Sequence, residues 1–339
     1  MATALVIGGS GQIGRAAVPA LVADGWDVRV LTRGSRAVDA VQAAGAVAVA
    51  GDRHDADALA RALRGGVDVV VDVVAYDDRD ADALLARAAE IGSAVVVSSA
   101  AVYLDDRGDG FESETFGTFP VPIGEDQPTV GPGRDSYATG KVALERAWAA
   151  SSVPTTILRP GAIHGPGCVQ PREWVFVKRA LDGRDVRVLA YDGESRFHTT
   201  ATAVLGELVR LAAASPAHRV LNAVDPEAPT VAEIATLVDG VMGTTSRIVR
   251  LPGAPREGVG STPWAVPTPL VLDMARAHEQ LGYVAPGGYG DTVAAAVEWL
   301  VDVAGDADWR EVLPGFARME GDGDFFDYAA EDALLAKGS

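Results

Sequence analysis

The sequence predicts an α/β protein with a doubly wound parallel sheet in its first half and a smaller mixed α/β lobe after it. Three observations predict this. Short apolar runs alternate with helical patterns from the N-terminus onward, a glycine-rich turn joins the first run to the first helix, and the texture changes near Arg159. Strand–helix alternation at this spacing implies βαβ units.

Taken in order, Ala4–Ile7, Val28–Leu31, Val47–Ala50, Val67–Val74 and Ala94–Val97 read as strands that are almost uninterruptedly apolar. Strands buried on both faces look like this. Gln12–Ala23, Asp55–Leu63 and Asp78–Ile91 carry helical periodicity between them. A long Gly/Pro/acidic segment, 104–134, follows; its length suggests a functional lid. Helix Tyr137–Ala150 and strand Thr155–Leu158 continue the pattern, which sets a first domain at 1–158. In the second, 159–339, strand-like Val186–Leu189, Arg219–Ala223 and Arg247–Leu251 lie among helices Val231–Met242, Leu270–Leu281 and Asp291–Val303. Residues 252–269 read as a loop, and the acidic GDGDFFDYAAED (321–332) as a solvated tail.

Of 339 residues 48% are hydrophobic, and the formal net charge is −18. That charge repels polyanions and argues against nucleic-acid or anionic-membrane partners. Neither a membrane-spanning apolar run nor a basic leader is read from the sequence, and the single cysteine, Cys168, fits a reducing, cytoplasmic setting. The histidines and the cysteine show no metal-ligand spacing, so no metal is expected.

Gly8-Gly9-Ser10-Gly11-Gln12-Ile13-Gly14 follows the strand TALVI and opens a helix. Such a turn needs glycine to bend tightly and to let backbone N–H groups approach a pyrophosphate at the helix N-terminus. An acidic residue about 20 positions on would bind ribose hydroxyls. The second strand instead ends in Leu31-Thr32-Arg33-Gly34-Ser35-Arg36, where Arg33 and Arg36 could clasp a ribose 2′-phosphate. The cofactor expected is therefore NADP, with NAD as the alternative; solvated loop arginines are the plainer reading of both side chains.

Tyr137 and Lys141 in SYATGK stand four apart, on one helix face. A neighbouring ammonium favours the phenolate and moves a tyrosine toward a useful acid/base range. With seven tyrosines and three lysines in the chain, chance supplies such a pair about 0.06 times. SSAAVY (98–103) ends a strand in two hydroxyls at the carboxyl edge, where ligands bind in such sheets.

GGSGQIG, SSAAVY, SYATGK and RPGAIHGPG together resemble, in order and spacing, the extended short-chain dehydrogenase/reductases, the NAD-dependent epimerase/dehydratase family. LGELVRLAAA and DMARAHEQLGYVAP also look like that family's C-terminal lobe, so the resemblance spans about residues 3–303. It implies a Rossmann domain, a nicotinamide nucleotide and a trio of Ser99, Tyr137 and Lys141, with Ser98 more structural. It further implies that Asp52 contacts adenine, and that Ala75 and Pro160 lie beside the cofactor. A homodimer is expected from the family's helix contact.

Departures from the family pattern bear on substrate. Ala100 and Ala101 stand where dehydratases carry acidic residues, and neither transfers a proton. Ala162 stands where an asparagine helps hold a substrate pyrophosphate, which weakens a nucleotide-sugar reading. Tyr103, His164, His198 and Arg196 are the substrate-side candidates, with both histidines expected to face a cleft. The leading expectation is a carbonyl reductase or alcohol dehydrogenase acting on a small molecule. The alternatives are a nucleotide-sugar epimerase with the same trio and a non-catalytic NADP-sensing protein.

Overall fold

The computed structural model describes residues 1–256, 258–320 and 324–337, the side chains of 35–37 excepted. Along the chain the elements run β1 (Thr3–Ile7), α1 (Gly14–Ala23), β2 (Asp27–Thr32), α2 (Ser35–Ala43), β3 (Val47–Ala50), α3 (Ala56–Ala62), β4 (Val69–Asp72), α4 (Asp78–Leu85), β5 (Ala94–Val97), α5 (Tyr137–Ala149) and β6 (Thr155–Pro160). They continue as β7 (Ala162–His164), α6 (Trp174–Leu181), β8 (Val186–Leu189), β9 (Thr199–Ala201), α7 (Thr202–Ala214), β10 (Arg219–Ala223), α8 (Val231–Val241), β11 (Arg247–Arg250), α9 (Ala275–Leu281), α10 (Tyr289–Ala304), α11 (Trp309–Val312), α12 (Pro314–Glu320) and α13 (Tyr328–Lys337). The chain forms two compact units: Met1–Gly161 with Thr202–Val224 and Leu272–Pro286, and Ala162–Ala201 with Asp225–Val271 and Gly287–Ser339.

The first unit is a seven-stranded parallel sheet in the order β10-β6-β5-β4-β1-β2-β3. Strand order reverses between β1 and β4, the point where such sheets open a crevice at their carboxyl ends. Leu5 and Ile7 of β1, Val70 of β4 and Val96 of β5 pack with Leu59, Leu84, Leu144 and Trp148 of α3, α4 and α5. Alternate strand positions such as Ala4 and Val6 are also fully buried, which accounts for the unbroken apolar runs. Helices α1 and α7 pack so closely that a Cβ on Gly206 would stand 3.0 Å from the Ala16 carbonyl.

Several sequence expectations change here. Strand Arg219–Ala223, read as part of the second lobe, is the edge strand of the main sheet. The chain leaves this unit at Ala162 and returns at Thr202, and local periodicity carries no record of such an excursion. The predicted helix over 270–281 begins only at Ala275, because Leu272 bridges Ile123 and the Asp273 N–H donates to the Ile123 carbonyl at 2.9 Å. The predicted helix over 78–91 ends at Leu85, and a 3₁₀ turn follows at Ala88–Glu90. Helices α2 and α6 were not expected.

Segment 104–134 has no helix or long strand, yet it is heavily tied down. The Asp105 carboxylate accepts the N–H groups of Arg107, Asp109 and Thr118, and these bonds, Thr118 first, hold it down at about 2. Farther along, the Asn222 amide in β10 donates to the Ile123 and Asp273 carbonyls, both at 3.0 Å.

The second unit holds two two-stranded parallel sheets, β8 with β11 and β7 with β9, among its helices. Residues 321–323 of the acidic tail lie outside the described residues, and the rest of it, 324–332, is not simply a solvated end. Helix α13 returns Glu331 into the unit, where it accepts from Arg179 at 2.7 and 3.0 Å and from Arg184 at 3.1 Å. Phe325 is buried beside Phe316. A block of like charge says nothing about whether one member meets an arginine from 152 residues earlier. Glu331→Ala leaves the Arg179 guanidinium buried without its counter-charge and is expected to cost about 3 kcal/mol. Urea unfolding measures this, and an unchanged midpoint would return the tail to the solvent.

Candidate active site

At the carboxyl end of β1 the chain turns sharply. Gly8 has φ +89°, and a Cβ there would stand 2.4 Å from Val74 Cγ1. At Gly9 it would stand 2.6 Å from Val30 Cγ1, and at Gly14 2.3 Å from the Gly9 Cα. The Gly11 N–H donates to the Gly8 carbonyl at 3.0 Å, and Arg15 Nε binds the Ser10 carbonyl at 3.1 Å. Gln12 and Ile13 then lead into α1, with Ile13 tucked into the core. The result is a cradle of backbone whose approach depends on absent side chains, as a dinucleotide pyrophosphate requires.

Beside the cradle lies a cleft of about 420 Å³, lined among others by Gly8, Ser10, Gly11, Arg33, Asp52 and Val74. The Arg33 guanidinium is exposed and stands 3.8 Å from the Asp52 carboxylate. Asp52 also accepts the His54 N–H at 2.9 Å. The side chain of Arg36 lies outside the described residues.

Helix α5 opens on a reciprocal cap, with the Ser136 hydroxyl accepting from the Thr139 N–H and the Thr139 hydroxyl accepting from the Ser136 N–H. Glu112, from the long segment, reinforces this start by accepting from the Ser136 hydroxyl at 2.7 Å and the Ala138 N–H at 2.9 Å. One residue into the helix, Tyr137 is half-buried, its ring edge-on to Tyr76 at 5.5 Å. Lys141 is 5% exposed and donates to the carbonyls of Ala75, at 2.6 Å, and Val97, at 3.0 Å. Its ammonium lies 5.5 Å from the Tyr137 ring centre. Burial pulls Lys141 down to about 8, against the opposing pull of Asp72, Asp80 and Glu145.

The two serines of SSAAVY take different roles. Ser98 is buried and donates to Glu145 at 2.5 Å, while Glu145 also receives Arg159 through two bonds. Ser99 is half-buried at the strand end, its oxygen accepting the Ala101 N–H at 3.1 Å. Pro160 is buried as the last residue of β6, opposite Ala223 of β10.

The substrate-side candidates fare otherwise. Tyr103 is fully buried and donates to Asn222 Oδ1 at 2.6 Å; burial pushes its phenol up to about 12. It ties the segment after β5 to β10 within the first unit. His164 and His198 do not face an open cleft. His164 Nε2 lies 3.0 Å from Asp225 Oδ2, and His198 Nε2 lies 2.9 Å from the Asp225 carbonyl. Both rings are buried inside the second unit, and burial pulls His198 down to about 4, leaving it neutral. Arg196 lines a cavity of about 680 Å³ in the second unit with Glu194, Glu227, Glu233 and Arg250, and donates to the Ala228 carbonyl.

Three residues of this region escaped sequence reasoning. Arg53, in the turn after β3, Asp72, at the end of β4, and Asp80, in the first turn of α4, form an ion-pair cluster in which both carboxylates are buried and Arg53 is half-buried. A signal was present: Asp72 is an acid inside an apolar strand, VVVD.

Residues 8–172 match a family model described as NAD(P)H-binding. The fold of the first unit is that of a Rossmann domain, and the match to the NAD(P)H-binding family covers just under half of the chain. No curated protein matches the sequence. Among solved structures, the Bordetella bronchiseptica enzyme WbmG in complex with NAD and UDP is 22% identical, with a TM-score of 0.68 over 90% of this chain and 95% of that one. A UDP-glucose 4-epimerase from Thermotoga maritima, with UDP-glucose, is 21% identical, with 0.67 over 88% and 99%. A dTDP-glucose 4,6-dehydratase from Bacillus anthracis, in complex with NAD, is 16% identical, with 0.66 over 90% and 98%. Epimerases and a dehydratase are thus among the structural neighbours of the Rossmann protein, some of them solved with NAD or UDP bound. At these identities the likeness is one of fold.

Two outcomes follow from this geometry. Gly14→Ala forces a methyl against the Gly9 backbone and is expected to weaken NADPH binding at least about tenfold, read by fluorescence titration of a protein with unchanged circular dichroism. The second concerns stability. Lys141 loses its proton near 8 when folded and near 10.5 when unfolded, so between those values the unfolded chain holds more protons. Stability relative to Lys141→Met should therefore rise with pH across that window, as denaturant melts at stepped pH would show; a flat difference would contradict it.

Proposed function

We propose that the protein is an NAD(P)-dependent enzyme that interconverts a secondary alcohol and a ketone on a small molecule, with Ser99, Tyr137 and Lys141 as its reacting centre. The observation that carries this is the buried Lys141 ammonium, spanning the Ala75 and Val97 carbonyls at two adjoining strand ends. An ammonium has three donors. Two are taken by backbone, and the third is assigned to a cofactor ribose hydroxyl. Its charge also favours a phenolate at Tyr137, which takes the proton from the substrate hydroxyl. Ser99 accepts the Ala101 N–H, so its own hydrogen serves the substrate oxygen. A bound nicotinamide dinucleotide supplies the hydride acceptor and donor.

The neighbours favour epimerisation of a nucleotide sugar, in which the hydride returns to the same substrate, over net reduction. Net reduction of a non-nucleotide ketone is the second reading. It is supported by Ala162, which is buried with its N–H on the His198 carbonyl and presents no polar side chain to a pyrophosphate. Arg33 supports NADP over NAD, although the neighbours named above hold NAD.

Incubation with UDP-sugars and separation of the products decides between the readings. An epimerase yields a new epimer with no net change in nicotinamide absorbance; a reductase consumes NADPH in step with ketone. Tyr137→Phe should lower turnover by about 10³-fold while keeping NADPH affinity. Retained turnover would sink the assignment of Tyr137. Arg33→Ala should reduce any preference for NADPH over NADH by about tenfold.

A further inference from the structure

Lys141 is held by backbone, and that backbone is itself held. Ala75 lies in the segment 73–77 that leaves β4 for α4. Two N–H groups of this segment are captured by carboxylates: Val74 donates to Asp72 Oδ1 at 3.3 Å, and Tyr76 donates to Asp80 Oδ2 at 2.5 Å. Both carboxylates are buried. Arg53 reaches from beyond β3 and closes over the pair. Its two terminal nitrogens bind Asp72 at 2.9 and 2.7 Å, its Nε lies 2.9 Å from Asp80 Oδ1, and Nη2 also donates to the Asp80 carbonyl at 3.0 Å.

We propose that Arg53 is a positioning residue for Lys141, clamping Asp72 and Asp80 so that the Ala75 carbonyl stands where the ammonium meets it. The proposal rests on the reading of Lys141 as the residue that holds the cofactor. Stability alone gives a poor account of the cluster, because apolar residues of similar volume generally serve a buried site as well as ions do. A guanidinium fork, by contrast, fixes two carboxylates at once, and each of these fixes one N–H of the same five-residue segment. Arg53 and Asp80 also line the cleft beside the glycine cradle. The clamp therefore runs from the cofactor cleft to the reacting centre, and a guanidinium so engaged serves as structure rather than as a phosphate ligand.

The charges close as well. Asp72 and Asp80 carry two negative charges, Arg53 and Lys141 two positive. Lys141 is faced by Asp72 from β4, Asp80 from α4, Arg53 from beyond β3, and Glu145 and Tyr137 from its own helix. Glu145 is paired with Arg159. Removing a negative charge from this set should make Lys141 give up its proton at lower pH, and removing Arg53 should make it hold on to higher pH.

The chain has only three lysines, Lys141, Lys178 and Lys337, so carbon-13 labelling of lysine side chains gives a spectrum in which each titration can be followed without any substrate. In the unaltered protein the Lys141 signal should titrate below the ordinary lysine value. Asp72→Asn, which keeps the shape, should move its midpoint down by at least about half a pH unit, and Arg53→Gln should move it up by as much. Arg53→Lys restores the charge but not the fork. It should bring the midpoint back towards that of the unaltered protein while leaving NADPH binding about tenfold weak. If Arg53→Gln does not fold, the shift in Asp72→Asn decides. A Lys141 midpoint and an NADPH affinity that are both unmoved in Asp72→Asn would overturn the proposal. Displaced midpoints with no turnover on any alcohol or ketone would instead leave the clamp standing and remove the enzymatic reading.

Discussion

The first unit depends on one buried ammonium. Lys141 leaves α5 and binds carbonyls at the ends of β4 and β5, so a single side chain joins a helix to two strand ends in the middle of the sheet. Its burial works against its own charge, and that cost is offset by the two hydrogen bonds and by the carboxylates behind them. The surroundings follow from the need to keep this group in place. The cap at Ser136, strengthened by Glu112, sets where α5 begins and hence where Tyr137 stands one residue later. Gly140 lets the same helix approach the backbone at Tyr76, where a Cβ would stand 3.3 Å from the carbonyl.

Elsewhere the protein places polar groups inside and ties them to one another. Asn222 ties β10 to Tyr103 and to the Ile123 carbonyl; Asp225 gathers His164, Thr199 and the Ala201 N–H; Glu331 gathers two arginines. Most of the buried donors gathered there meet acceptors, as burial demands, although His164 Nδ1 and Arg184 Nε have no hydrogen-bond partner. That is why Tyr103, His164 and His198 look like substrate-side residues in the sequence. A buried phenol or imidazole beside a motif carries the same residue type as a reacting one. Only its partners tell the two apart.

The site and the neighbours inform different levels of the function. The glycine cradle and the matched NAD(P)H-binding segment speak to the cofactor. The trio, as proposed, would set the atoms at which a proton and a hydride move. The substrate is another matter, because Ala100, Ala101 and Ala162 offer no side-chain acid, base or hydrogen-bonding group. The second unit's large cavity mixes three glutamates with two arginines, and Glu194 already lies against Arg250. Such a lining gives no net positive charge of the kind a diphosphate would seek.

The glycine turn, the Tyr137–Lys141 pair and the strand ending in Ser98-Ser99 were legible in the sequence, because each depends on spacing within one element or across one turn. The alternation of apolar runs and helical patterns determined the doubly wound sheet for the same reason: burial on both faces leaves its period in the chain. The tertiary structure alone decided which strands join that sheet, since β10 enters it after an excursion through the second unit. It alone decided that the acidic tail folds back on Arg179, and that Tyr103 and both histidines are interior supports. It also revealed the Arg53 fork, whose members come from three separate elements. Local periodicity records which face of an element is buried. It does not record which distant charge will be waiting there.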